Sequence, residues 1–257
     1  MSKDIHKKKN LSSFQLIILG FAGVILLGAI ILMLPVSSAE GVMTPFNQTL
    51  FTSTSAVCVT GLAVLDTGSY WSVFGQVVIL LLIQIGGLGV VTVAVSVFML
   101  SGRKISLMQR STMQNAISAH KVGGIVRLTK FILKGTLFVE MAGALALLPV
   151  FYHDFGRKGI WMAVFHSISA FCNAGFDILG TPANPFPSIT AYAGNPIVNV
   201  VIMFLIIIGG IGFLTWEDIC TNRGKLKRYR LQSKVIFATT LIFIVLPAIF
   251  FFFSEPP

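Results

Sequence analysis

Five apolar blocks, near residues 14–34, 73–100, 125–150, 197–216 and 235–253, decide what this 257-residue chain can fold into. Each has about the 20 apolar residues that carry a helix across a hydrocarbon layer. Inside lipid every backbone N–H and C=O must find a partner within the protein, so such blocks become helices. Outer-membrane barrels show short alternating segments instead, and that class is excluded. Composition agrees: 55% of residues are hydrophobic and 11% charged, against about a quarter charged in soluble domains. The first block is too long for a signal-peptide core and has no small-residue cleavage site after it, so it reads as a retained span. The fold class is an all-α polytopic membrane protein.

The net charge of +10 is placed, not spread. Lys3, Lys7, Lys8 and Lys9 precede the first block. Arg103, Lys104, Arg110, Lys121, Arg127, Lys130 and Lys134 fall between the second and third blocks or at the start of the third. Arg223, Lys225, Lys227, Arg228, Arg230 and Lys234 fall around the fourth connection, leaving only Arg157 and Lys158 for the alternate side. The positive-inside rule then predicts a multi-pass protein of the cell membrane with a cytoplasmic N-terminus and an external C-terminus. The basic balance is topological and calls for no nucleic acid; its partner is the bilayer, whose anionic headgroups attract each cation by about 1 kcal/mol. Cys58, Cys172 and Cys220 form neither a disulfide framework nor a zinc spacing.

Between the first two blocks lies FTSTSAVCVTGL (51–62), too polar for lipid and too short to span it. It returns 114 residues later as FHSISAFCNAGF (165–176), with Phe, Ser, Ser, Ala, Cys and Gly matched without a gap. The cluster Ile85-Gly86-Gly87-Leu88-Gly89 likewise returns as Ile208-Gly209-Gly210-Ile211-Gly212. A span, a polar segment and a span with a glycine cluster therefore occur twice, in the same orientation, as a parallel repeat. The chain divides into a first repeat with its basic loop (1–120), a second (121–230), and the first span of a third (231–257).

Thr44-Pro45 has the form of a helix start, with Thr as N-cap and Pro at the first helical position. A short helix over 46–57, and a second over 159–171, would dip partway into the membrane and stop. The irregular backbone that follows survives at membrane depth only where it is buried in protein or lines water. The helix end directs its negative dipole at that point, which favours a cation. The carbonyls of Val59, Thr60 and Gly61, and of Asn173, Ala174 and Gly175, are the candidate ion filter, able to replace an ion's water shell. Cys58, Leu62, Cys172 and Phe176 flank and support them, and Asp66 and Asp177 are expected at the outer mouth. The metal expected is potassium, held by backbone carbonyls only.

The stretches AVCVTGL (56–62), AFCNAGF (170–176), LLIQIGGLG (81–89) and IIIGGIG (206–212) resemble the Ktr/Trk/HKT potassium-uptake superfamily, and within it the bacterial KtrB type of membrane subunit. The resemblance runs over nearly the whole chain. It implies four covalently linked span–pore-helix–filter–span repeats about a pseudo-fourfold pore axis, with Gly61 and Gly175 as filter glycines. It implies no enzyme and no bound cofactor. The function implied is the pore of a potassium uptake system, sodium-responsive in some members, typically homodimeric, and gated by a cytoplasmic nucleotide-binding ring subunit of the RCK type. Two repeats and one further span are present, so the chain is expected to be the N-terminal half of such a subunit.

Other features were weighed beside this. The glycine clusters read as close-packing positions between helices or as hinges. Glu140 is an ionisable residue in mid-span, for a structural pair with another helix or a place in the ion path. His166 is expected to support the filter by a hydrogen bond; an intramembrane enzyme using it with Asp177 or Cys172 has no metal motif behind it. The basic stretch 101–122 reads as a lipid-facing helix or, by the resemblance, as the dock for the ring subunit; Lys121-Val122-Gly123-Gly124 is too short for a phosphate loop. Asn184-Pro185 and Asn195-Pro196 share one loop and lack the following Ala of an aquaporin pattern. A cation-coupled secondary symporter with broken helices is the alternative to a pore.

Overall fold

The computed structural model describes residues 12–89, 92–93, 125–223 and 225–254. The N-terminal lysines, the basic stretch 101–122 with its expected dock, and the Lys121–Gly124 motif lie outside the described residues.

Eight α-helices are described. The first span is α1 (Ser13–Met33), opened by a capping box in which the Ser12 hydroxyl accepts from the Gln15 N–H and the Gln15 side chain accepts from the Ser12 N–H. It stops at Leu34, before a proline that disfavours helical backbone in the residue preceding it. The short helix α2 (Phe46–Val57) follows, then α3 (Val73–Leu88), whose N-cap Ser72 accepts from the Gly75 N–H. The second set is α4 (Ile125–Phe155), α5 (Lys158–Phe171) and α6 (Pro196–Gly210). Asn195 caps α6 through the N–H groups of Ile197 and Val198, with Pro196 in the first turn, where a missing N–H costs nothing. Then come α7 (Phe213–Asn222) and α8 (Leu231–Ser254). At the connection to α8, Asp218 accepts from the Asn222 amide and the Arg230 N–H.

Among the described residues three helices are long and apolar enough to cross a bilayer, Phe14–Met33, Arg127–Phe155 and Leu231–Ser254; α6 with α7 makes a fourth only as a pair bent by 94°. The blocks at 73–100 and 197–216 are thus not unbroken helices. The first stops at Leu88 and the second breaks after Gly210. The cause is the same in both: Gly89 and Gly212 each take φ +82°, a conformation that a side chain disfavours. The start of α2 also differs from expectation. Its N-cap is Pro45, and the Thr44 hydroxyl pairs instead with the Tyr70 hydroxyl at 3.0 Å.

The duplication extends to packing. The Ser53 hydroxyl donates to the Ile25 carbonyl at 2.7 Å, pinning α2 to α1, and the Ser167 hydroxyl donates to the Glu140 carbonyl at 2.7 Å, pinning α5 to α4. At Gly28 a Cβ would meet Ser53 and Leu82; at Gly143 it would meet Ser167 and Leu205. Small residues in these places let each short helix seat deeply between its two long neighbours. One hydrophobic cluster, including Leu32, Ile79, Ile83, Leu147, Phe151 and Phe165, runs through both units.

Candidate functional site

Both short helices end in the same way. Cys58 and Cys172 are the last right-handed residues, and Val59 (φ +57°) and Asn173 (φ +58°) turn left-handed. The N–H of Val59 then returns to the Ala56 carbonyl and that of Thr60 to Ser55; the N–H of Asn173 returns to Ala170 and that of Ala174 to Ser169. This is a Schellman closure made twice, six residues ending a helix without leaving its own carbonyls orphaned. Asn accepts the left-handed region; Val, branched at Cβ, is a strained occupant. Side chains brace the turn: Ser55 pairs with the Thr60 hydroxyl at 2.8 Å, and Ser169 donates to the Phe176 carbonyl at 2.6 Å.

The two segments meet at their glycines. Gly61 (φ +73°) and Gly175 (φ +71°) face each other so closely that a Cβ on Gly61 would stand 2.6 Å from the Ala174 carbonyl oxygen and 3.2 Å from Gly175 Cα. Among the described residues, no hydrogen bond ends on the carbonyls of Val59, Thr60, Gly61, Asn173, Ala174 or Gly175. Free oxygens beyond a helix C-terminus favour a cation over an anion.

The glycine clusters hold these segments from behind. A Cβ on Gly86 would collide with the Val57 carbonyl, and one on Gly209 with the Phe171 carbonyl. Cys172 is buried with its Sγ against Gly87, whereas Cys58 is exposed, as is Leu62; Phe176 is buried. Glu140 is buried and accepts from the Gln84 amide at 2.8 Å, so its partner comes from α3 of the other unit. The Gln84 oxygen in turn lies 3.9 Å from Cys172 Sγ.

Beyond the glycines, Asp66 departs from the expectation of a residue open to an approaching ion. Asp66 is buried, with one oxygen taken by the N–H and hydroxyl of Ser69 and the other by the Phe186 N–H, so it ties the loop after Gly180 to the first unit. Asp177 is half-buried and accepts from the Leu179 N–H. Burial, with the Asp66 charge behind it, holds its carboxyl above the usual range. His166 does not reach the filter: its Nδ1 pairs with the Met162 carbonyl of its own helix at 2.7 Å, and Nε2 has no partner among the described residues. His166 and Asp177 both line a cavity of about 230 Å³ beside Asn173 and Gly175, and Cys172 does not. The sequence offers Glu140 a pair on another helix but does not give Gln84 as its partner, nor the bond from the Trp161 indole to the Gln76 oxygen at 2.8 Å. A polar residue inside each apolar block was the available signal.

A sequence model described as TrkH, cation transport protein, matches residues 11–253. The chain belongs to the TrkH family. Among relatives of this TrkH-family chain, the potassium/sodium uptake protein NtpJ of Enterococcus hirae is 41% identical over 249 residues, covering 96% of the chain and 54% of the relative. The Ktr system potassium uptake protein B of Bacillus subtilis is 42% identical over 229 residues, covering 89% and 49%; that of Vibrio alginolyticus is 32% identical over 243 residues, covering 94% and 52%. The chain spans about half the length of the curated relatives it matches. These relatives are named as uptake proteins, and the chain is a KtrB-type, multi-pass membrane protein of the TrkH family.

Proposed function

We propose that the chain forms part of the pore of a potassium uptake system, in which a dehydrated ion passes between the carbonyls of 59–61 and 173–175. The observation that carries this reading is the meeting of two identically closed segments at Gly61 and Gly175 with six carbonyls left free. Neutral oxygens suit a monovalent ion that must bind well enough to enter and weakly enough to leave. Serines behind each turn and the glycines of α3 and α6 hold the spacing. The N-terminus lies in the cytoplasm, as the loop charges require. The cytoplasmic partner is an RCK-type nucleotide-binding ring that gates the pore, and the full assembly is a homodimer. A coupled symporter is the second reading, favoured by the 94° break between α6 and α7, since broken helices serve transporters too.

The test is flux in vesicles with and without Gly61→Ser or Gly175→Ser. Each should lower the preference for rubidium and potassium over sodium about tenfold, the scale of about 1.4 kcal/mol of lost discrimination. Unchanged preference in both variants refutes the filter, and a fixed ion-coupling stoichiometry favours the symporter.

A further inference from the structure

The two glycine-tipped segments are joined a second time, beyond their glycines. Asp66 stands five residues after Gly61, and Gly180 five residues after Gly175. The repeat makes the two counterparts, with Val64-Leu65 matching Ile178-Leu179 between. One counterpart carries a carboxylate and the other the space for it, because a Cβ on Gly180 would fall on the Asp66 carboxylate. Gly68 seats at the same place, where a Cβ would stand 2.7 Å from both the N and the O of Gly180. From this seat the chain turns through Thr181 and Asn184 and comes back, and the Phe186 N–H donates to Asp66 at 2.9 Å. Phe186 (φ +56°) and Ser188 (φ +54°) are left-handed, a backbone that residues other than glycine keep only where their surroundings hold them. The Phe186 ring is half in solvent, so the hold comes through its N–H. Ser188 and Ile189 then line the cavity beside Asn173 and Gly175. Gln76 makes a second tie: its amide donates to the Thr67 and Trp71 carbonyls, and its oxygen accepts from Trp161 of α5.

We propose that Asp66 is a positioning residue for ion selectivity, clasping the two outer loops together so that the gap between Gly61 and Gly175 stays fixed. The proposal rests on the reading of 59–61 and 173–175 as an ion filter. Each filter glycine has one end set by the helix turn before it and the other by the clasp after it. The two five-residue runs, meeting at the glycines and again at the Asp66–Gly180 seat, make a short closed circuit in which neither glycine moves alone. A carbonyl site tells ions of equal charge apart by the spacing and field of its oxygens, so a loosened circuit loses discrimination before it loses conduction. Asp66 acts here through its bonds and not as an open charge: it is buried, and both of its oxygens are taken, by Ser69 and by Phe186.

Position 186 separates the bond from the side chain. Phe186→Pro removes the N–H and forbids a positive φ, whereas Phe186→Gly loses the same ring but keeps the N–H and favours the left-handed backbone. Both changes fall in an outer loop, where the fold tolerates substitution. Each variant is read twice, by amide hydrogen exchange in micelles and by rubidium and sodium flux in vesicles. In Phe186→Pro the bonded amides of Ala174 and Leu179 should exchange about tenfold faster than in the parent, and the preference for rubidium over sodium should fall by up to about tenfold, the scale of one lost hydrogen bond. Phe186→Gly should follow the parent in both. Asp66→Asn, which drops the charge but keeps an acceptor for Phe186, should retain most of the protection and preference that Asp66→Ala loses. Proline and glycine variants that behave alike overturn the proposal. So does an Asn variant that loses total flux at unchanged preference, the mark of an open charge drawing cations in. Faster exchange in the proline variant at unchanged preference overturns the role in selectivity; the filter reading then stands if Gly175→Ser shifts the preference and falls with it if not. A parent chain that passes no ion defeats the pore reading, and with it the role in selectivity, while exchange alone decides whether the clasp holds the glycines.

Discussion

Replacing Gly86 or Gly209 by alanine tests the close seating of the short helices α2 and α5. In an ordinary helix interior, glycine to alanine stabilises by about 0.8–1 kcal/mol. Gly23 in α1 is such a place, with nothing within 4 Å of an added Cβ. At Gly86 the added carbon falls on the Val57 carbonyl, and at Gly209 on the Phe171 carbonyl, both backbone atoms that cannot rotate away. Overpacking of this sort costs about 1–3 kcal/mol, enough to cancel the propensity gain and exceed it. Net of the propensity gain, Gly86→Ala and Gly209→Ala should lose up to about 2 kcal/mol and melt up to about 8 °C below the parent chain, and Gly23→Ala about 2–4 °C above it, on the scale of about 2–4 °C per kcal/mol for chains of this size. The assay is thermal unfolding in a single detergent, followed by far-ultraviolet dichroism. If the three alanine variants all melt above the parent, the glycines are not spacers and the pore-helix ends are not held from behind.

Glu140→Leu and Gln84→Leu should each destabilise the chain, and a double-mutant cycle should return about 0.6–1.7 kcal/mol of coupling, the range for hydrogen bonds between membrane helices; Glu140→Gln, which keeps an acceptor, should recover most of the stability. Asp177→Asn should raise stability at neutral pH, because burial makes the charged form costly in the folded chain. The folded carboxyl sits above its ordinary 3.8, so this cost is complete above the folded value and vanishes below 3.8, and the gain from Asn should fade as pH is lowered through that window. A gain that grows on acidification, followed by pH-dependent melting, would contradict the burial of this side chain.

The membrane class, both short helices and the pairing of Gly61 with Gly175 were legible because duplication writes them twice, and a repeated serine–cysteine–glycine pattern has few other causes. The breaks at Gly89 and Gly212 were not. A glycine in an apolar run reads equally as a spacer or a stop, and only the backbone shows that Gly86, Gly87 and Gly209 are spacers while Gly89 and Gly212 are stops. Glu140 announced itself as a mid-span acid, but its partner lies 56 residues away on another unit, beyond the reach of local pattern. Asp66 misled for a related reason. A carboxylate after a glycine looks like a mouth residue until the chain folds Ser69 and the Phe186 backbone onto it. Thr44 likewise reads as a cap because its hydroxyl is in the right place by number, and it is drawn off by Tyr70.

The Schellman closures tie helix length to ligand supply. Each pore helix spends its last returning hydrogen bonds on Ser55 and Ala56, or Ser169 and Ala170, so the oxygens beyond are spare only because winding stops there. One more turn would pair carbonyls still inside the helix and swing those of 59–61 or 173–175 into line with its axis. A substitution that merely extends α2 or α5, altering no charge, would therefore re-aim these oxygens together.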